Sequence, residues 1–158
     1  MDSCIIDNVN RLVKQNDTLW FLGDFCMGNY QDVIDYRKRV NCNNFNVVLG
    51  NHDKWLRKLS SSLVQEGIFS SIQEYAEIDV DVIKVCLFHY CILNFNKAHF
   101  GSYHLWGHSH GSLPENPKAR SFDVGINCWD YKPVSWDQVK AKMSTKEWKP
   151  IDHHTRKR

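Results

Sequence analysis

Apolar residues along this chain follow two rhythms that take turns. Ile5, Ile6, Val9, Leu12 and Val13 recur at three- and four-residue spacing, which predicts a helix over 3–14. Asn16 and Asp17 break that pattern, and the run Thr18-Leu-Trp-Phe-Leu22 predicts a buried strand. A second helix over 29–40 places Val33, Ile34, Arg37 and Val40 on one face and ends in the asparagines at 41, 43 and 44. A strand over 45–49 and a helix over 54–66 follow. Strands are predicted over 72–80 and 82–88, meeting near Asp79 to Asp81, where turn chemistry is poor. The remainder reads as a polar loop or short helix over 94–102, a strand over 103–106, a loop with Pro114 and Pro117 over 111–120, and a closing helix over 135–143. Strands alternating with helices predict an α/β fold.

With 158 residues the chain has room for one domain with its own core, assigned to 1–144, and a Lys/Arg/His-rich solvated tail at 145–158. A hydrophobic content of 42% argues against disorder, and a net charge of +2 predicts neither a nucleic-acid nor a membrane partner. The six cysteines show no C-x-x-C spacing and read as reduced residues, Cys86 and Cys91 lying in or beside a buried strand. No apolar run approaches about 18 residues and no basic-then-apolar leader is present, so a cytoplasmic protein without a membrane span is expected.

The chemistry lies where the strands stop. Three runs end in Leu22-Gly-Asp24, Gly50-Asn-His-Asp53 and Gly107-His-Ser-His110, and the run Val82 to Phe88 ends at His89. In open α/β sheets ligands bind at such carboxyl ends. Asp, Asn and His are hard or borderline donors that suit Mn, Fe, Zn or Mg better than copper. If the segment at 108–110 is extended, alternation turns the rings of His108 and His110 to one side.

These blocks, in this order, resemble the calcineurin-like metallophosphoesterase superfamily, whose motifs run D-x-H, G-D, G-N-H-[DE], a lone H and G-H-x-H. Four of the five are present between Asp17 and Trp136, and Phe122 to Asn127 resembles the strand that follows G-H-x-H. The resemblance implies an αββα sandwich of two mixed β-sheets flanked by helices. It implies a metal set of Asp24, Asn51, His89 and His108 for one ion, with Asp24 bridging to a second ion that His110 would share. Catalysis would fall to His52, protonating the leaving oxygen, with Asp53 orienting its ring. The reaction would be hydrolysis of a phosphodiester or phosphomonoester, nucleotide-like in one version, by in-line attack of metal-bound water.

No Asp-x-His occurs in the sequence. The resemblance therefore implies a domain short of its first strand, by truncation, an internal start or natural loss, with one ion held firmly and the second poorly. The unpaired edge left beside Leu19 to Leu22 invites self-association. The competing expectation is a catalytically degenerate, single-metal or interaction module. Gly23 to Gly28 and the final Asp of G-N-H-D depart from the pattern of Ser/Thr protein phosphatases.

Other candidates read as structural. His104 precedes Trp106 on a strand, His99 falls in a loop, and Cys26 is expected to pack rather than ligate. The His153–His154 pair lacks converging partners. Six Trp and the neighbouring Tyr residues are expected in core and rim before any base stacking, so nucleic acid is open as a substrate but not indicated.

Overall fold

The computed structural model describes residues 2–149 and Ile151. Helix α1 spans Asp2–Leu12, strand β1 Thr18–Leu22, α2 Tyr30–Lys38, β2 Asn44–Val48, α3 Lys54–Gln65 and β3 Ser71–Gln73. Then come β4 Tyr75–Val80, β5 Ile83–Phe88, a 3-10 turn Ala98–Phe100, β6 Tyr103–Trp106, β7 Ser121–Asp123, a 3-10 turn Ile126–Cys128 and α4 Trp136–Ser144. The fold is α/β, as the alternation predicted. The helix ends follow local chemistry: Asn29 and Asp32 form a capping box at α2, and Ser135 and Gln138 form another at α4.

The strands divide into two sheets, ordered β1-β2-β3 and β4-β5-β6-β7. The first is wholly parallel, so the expectation of two mixed sheets holds for the second alone, where β4 and β5 are antiparallel and β5, β6 and β7 run parallel. The predicted strand over 72–80 is also corrected. It divides at Glu74, with β3 continuing the first sheet beside β2 and β4 opening the second as a hairpin with β5. Nothing in a uniformly strand-like stretch announces a change of sheet.

Two cores hold the layers. Helices α1, α2 and α3 cover one face of the first sheet through Ile6, Val33, Ile34, Leu56 and Leu63, packed with Phe45 and Val47. Phe21, Phe25, Phe45 and Phe69 meet there with centroids 5.3 to 6.3 Å apart, mostly edge to face. Arg37, on the apolar face of α2, belongs to this core: it lies 5.1 Å from the Phe45 ring and donates to the carbonyls of Ile68, Val40 and Cys42. The second core lies between the sheets, where Trp20, Leu22 and Val48 meet Ala76, Val85, Leu87, Leu105 and Phe122, and α4 adds Val139 and Met143.

The β4–β5 hairpin turns through Asp81 at φ 47° and Val82 at φ 64°, both in the left-handed region. Two such residues make the turn that suits a two-residue hairpin, but a β-branched residue there is strained, and Val82 is fully exposed. Val82→Gly should therefore stabilise the protein by about 1 kcal/mol and raise Tm by roughly 2–4 °C. A Tm unchanged or lowered in a thermal melt would show that Val82 carries no strain.

The described residues of the predicted solvated tail are mostly exposed and make several hydrogen bonds to the domain. Glu147 and Lys149 donate backbone N–H groups to Pro117 and Lys118, Trp148 donates Nε1–H to Ala98, and Arg120 stacks 4.6 Å from the Trp148 ring. The His153–His154 pair lies outside the described residues. Among the described residues no helix is long and apolar enough to cross a membrane.

Candidate metal centre

Four strands deliver their following residues to one edge of the two sheets. Asp24 stands two residues after β1, Asn51 three after β2, His89 one after β5 and His108 two after β6. His89 is the hub. Its ring is 1% exposed, and its Nδ1 lies 2.8 Å from the carbonyl oxygen of Leu22. That contact calls for N–H on Nδ1, which leaves Nε2 with a lone pair facing the site. Around Nε2 lie Asn51 Oδ1 at 3.0 Å, His108 Nδ1 at 3.1 Å and Asp24 Oδ2 at 3.4 Å.

These spacings decide what the cluster suits. Ligand atoms about 2.1 Å from an ion stand roughly 3.0 Å apart in an octahedral shell and roughly 3.4 Å apart in a tetrahedral one. The three distances from Nε2 fall across that range. Electron-rich atoms do not crowd so closely unless a proton or a cation lies between them. Asp24, His89 and His108 each present a ligand atom within 4.8 Å of the others. One carboxylate, one amide oxygen and two imidazoles form a donor set suited to a divalent first-row ion or magnesium.

The backbone is bent to make this possible. Asp24 at φ 58° and His108 at φ 49° are non-glycine residues in the left-handed region, a strain found where surrounding structure overrides local preference. Two glycines are required by proximity. A Cβ at Gly23 would fall on His89 Nδ1, and one at Gly50 would fall on Asp24 Oδ1. The glycine before each ligand thus lets two loops and a buried imidazole approach within contact distance.

Asp53 holds the frame, and here the expectation that it orients the His52 ring needs revision. It is fully buried, and although it precedes α3 its side chain does not cap that helix. Its Oδ2 accepts N–H from Asp24 at 2.7 Å and from Gly50 at 2.8 Å; its Oδ1 accepts from Phe25 at 2.7 Å and Cys26 at 3.3 Å. One carboxylate therefore ties the loop after β1 to the loop after β2. Burial pushes its pKa above the ordinary carboxylate value, and the four N–H donors pull the other way. Asp123, at the end of β7, does the same for the third loop by accepting N–H from Gly111 at 3.1 Å and Gly125 at 2.7 Å. The sequence reading gave Asp123 no role. A strand-end aspartate two residues before Gly125 was the available signal.

His52 is exposed at the rim, its backbone N–H donating to Asp24 Oδ1 at 2.9 Å. His110 does not join the cluster. The segment after β6 is a turn and not an extended strand, with His108 and His110 both at positive φ, so alternation no longer turns the two rings to one side. His110 Nδ1 lies 2.7 Å from Asn127 Oδ1 instead. Tyr90, which the sequence reading did not single out, sets its ring against both imidazoles, with centroids 4.9 Å from His89 and 4.7 Å from His108.

His104 is a core residue, as expected. Its Nδ1 lies 3.0 Å from the Cys86 carbonyl and its Nε2 accepts the Ile92 N–H at 3.0 Å, so the neutral ring is the one that fits. Burial lowers its pKa, with the Cys86 carbonyl opposing the shift. Below the unfolded value of about 6.5 the unfolded chain takes up a proton that the folded chain refuses. This contribution to stability is therefore complete above that pH and is lost as pH falls toward the lowered folded value. Urea midpoints between pH 7.5 and 5 should fall more steeply in the native sequence than in His104→Gln, and parallel curves would show that His104 does not titrate on unfolding. None of the six cysteines is in a disulfide, and Cys26, Cys42 and Cys86 are buried; Cys91 is exposed, against the expectation that it packs with the strand.

No family model matches the chain. It is 27% identical over 146 residues to an uncharacterized protein of Methanocaldococcus jannaschii, the match covering 88% of this chain and 73% of that protein. Its fold is similar to the crystal structure of a protein of unknown function from Aquifex aeolicus, with a TM-score of 0.65, 21% identity, and coverage of 89% of this chain and 84% of the other.

Proposed function

We propose that this protein is a metal-dependent phosphoesterase of the calcineurin-like type, hydrolysing a phosphodiester or phosphomonoester. The observation that carries the reading is the set of electron-rich atoms 3.0 to 3.4 Å from His89 Nε2, brought from four strand ends on a strained backbone. Asp24, Asn51, His89 and His108 would hold the ion. When bound, it polarises a phosphoryl oxygen and lets water attack at neutral pH.

The remaining work falls to side chains of the chain itself. His89 is locked by the Leu22 carbonyl, so the site is preorganised on the side of the second sheet. His52 stands exposed beside Asp24, where its ring can meet an ester oxygen and donate a proton as the bond to phosphorus breaks. Asp53 acts through the loops it ties and not on the reacting atoms.

A second reading is favoured by one observation. No Asp-x-His occurs among the 158 residues, which leaves Asp24 and His110, the latter held at Nδ1 by Asn127, as the ligands a second ion would have. A single-ion module without turnover is the outcome that this arrangement supports. Metal content after loading the stripped protein with Mn, measured together with hydrolysis of bis(4-nitrophenyl) phosphate, separates the two. One ion per chain with Mn-dependent turnover is expected; one ion without turnover selects the non-catalytic module, and no ion removes both.

A further inference from the structure

Asp53 ties the loops that carry Asp24 and Asn51, and Asp123 ties the loop that carries His108. The stretch that leaves His89 is held differently. Tyr90 to Asn94 lie in neither helix nor strand, and all but Ile92 are exposed. Among the described residues none of these five makes a backbone–backbone hydrogen bond. The stretch is fixed at one point, where the Ile92 N–H donates to His104 Nε2 at 3.0 Å.

The other nitrogen of the same ring holds the other side of the ligand. His104 Nδ1 lies 3.0 Å from the carbonyl oxygen of Cys86, its register partner on β5. Cys86 stands three residues before His89, and Ile92 stands three residues after it. One imidazole therefore spans the segment from which His89 projects, donating from Nδ1 at its start and accepting at Nε2 at its end. His104 also lies on β6, four residues before His108, so it joins the two chain segments that deliver both imidazoles of the cluster.

Packing alone does not call for histidine at this position. The ring is fully buried, with centroids 5.4 Å from Trp106 and 5.3 Å from Phe95. An apolar ring of similar size would fill that space without the cost of desolvating two nitrogens. Both nitrogens are satisfied only by backbone groups that flank His89, so what the polarity adds is a fixed path for the chain on either side of the ligand. Tyr90 lies inside the clamped segment, and its contact with the His89 and His108 rings depends on the same path.

We propose that His104 is a positioning residue for the metal centre: through Cys86 and Ile92 it fixes the segment that carries His89, and so sets metal affinity without touching the ion. This inference rests on reading the cluster as a metal centre and not on turnover.

Titration of the stripped full chain with Mn tests it, each dissociation constant being read at a temperature where the protein is folded. His104→Phe keeps a ring and loses both bonds. It should bind Mn about tenfold more weakly, the lower end of the range for groups behind a ligand, and the Ile92 amide should lose protection from hydrogen exchange. His104→Gln offers a donor and an acceptor spaced like the ring nitrogens and should stay within about threefold of the native affinity. Val33→Ala, in the core beneath α2, controls for lost stability and should bind Mn as the native chain does. If His104→Phe does not fold, His104→Asn, too short to reach Ile92, carries the same expected loss. Native Mn affinity in a folded His104→Phe or His104→Asn protein would overturn the proposal, as would an equal loss in Val33→Ala. A native chain that binds no Mn removes the metal centre and this proposal with it, whereas Mn binding without turnover removes only the phosphoesterase reading.

Discussion

Replacing Asp53 with Ala should destabilise the protein by about 3–5 kcal/mol, at the upper end for a single substitution, and lower Tm by roughly 10 °C. The residue is fully buried, and its two oxygens satisfy the N–H groups of Asp24, Phe25, Cys26 and Gly50. Removing the carboxylate leaves those donors without their acceptor, each costing about 1–3 kcal/mol before relaxation. It also frees the loop after β1 from the loop after β2, so metal affinity should fall with stability although Asp53 touches no ion. Asp53→Asn, which keeps one acceptor oxygen, should fall between the two. Thermal melts with Mn titration check this, and a stable Ala variant that binds Mn normally would show that the loops are held by something else.

The second large effect separates two neighbouring residues. Asp24→Ala should abolish metal binding and hydrolysis together, because its Oδ2 is the carboxylate oxygen facing His89 Nε2 at 3.4 Å. His52→Ala should lower turnover by about 10²–10⁴-fold, the range for loss of a general acid, with metal content little changed. The distinction follows from geometry: His52 reaches Asp24 through its backbone N–H, which survives the substitution. Metal analysis and initial rates on both variants decide the matter. A His52→Ala protein that loses its ion would make that ring a ligand.

These two predictions differ in how much of them the sequence contained. Asp24, Asn51, His89 and His108 were legible because each follows an apolar run, and strands that share a sheet edge bring their ends together. The direction of His110 was not legible, because the alternation of an extended segment stops at Trp106. The chain turns there, with Asp123 accepting the Gly111 N–H, and a turn fixed by a residue 12 positions away leaves no mark in a local window. Asp53 was expected to orient His52 because the family resemblance implies it. Its true partners lie 27 to 29 positions back in the chain, and Gly50 lies on the same turn.

By itself the sequence determined the elements and which donor side chains stand at strand ends. Periodicity places α1, α2, α3 and α4 and most strands within a few residues, because side-chain direction in helix and strand is set by local backbone geometry. Donor types at strand ends likewise carry the proposal of a hard or borderline cation. Tertiary structure decided which strands share a sheet, why the run from Ile72 to Val80 divides at Glu74, which way His110 turns, and that two buried aspartates brace the ligand loops. Those outcomes depend on satisfying backbone N–H groups and excluding water between segments distant in the chain. That accounting closes only once the whole fold is in place.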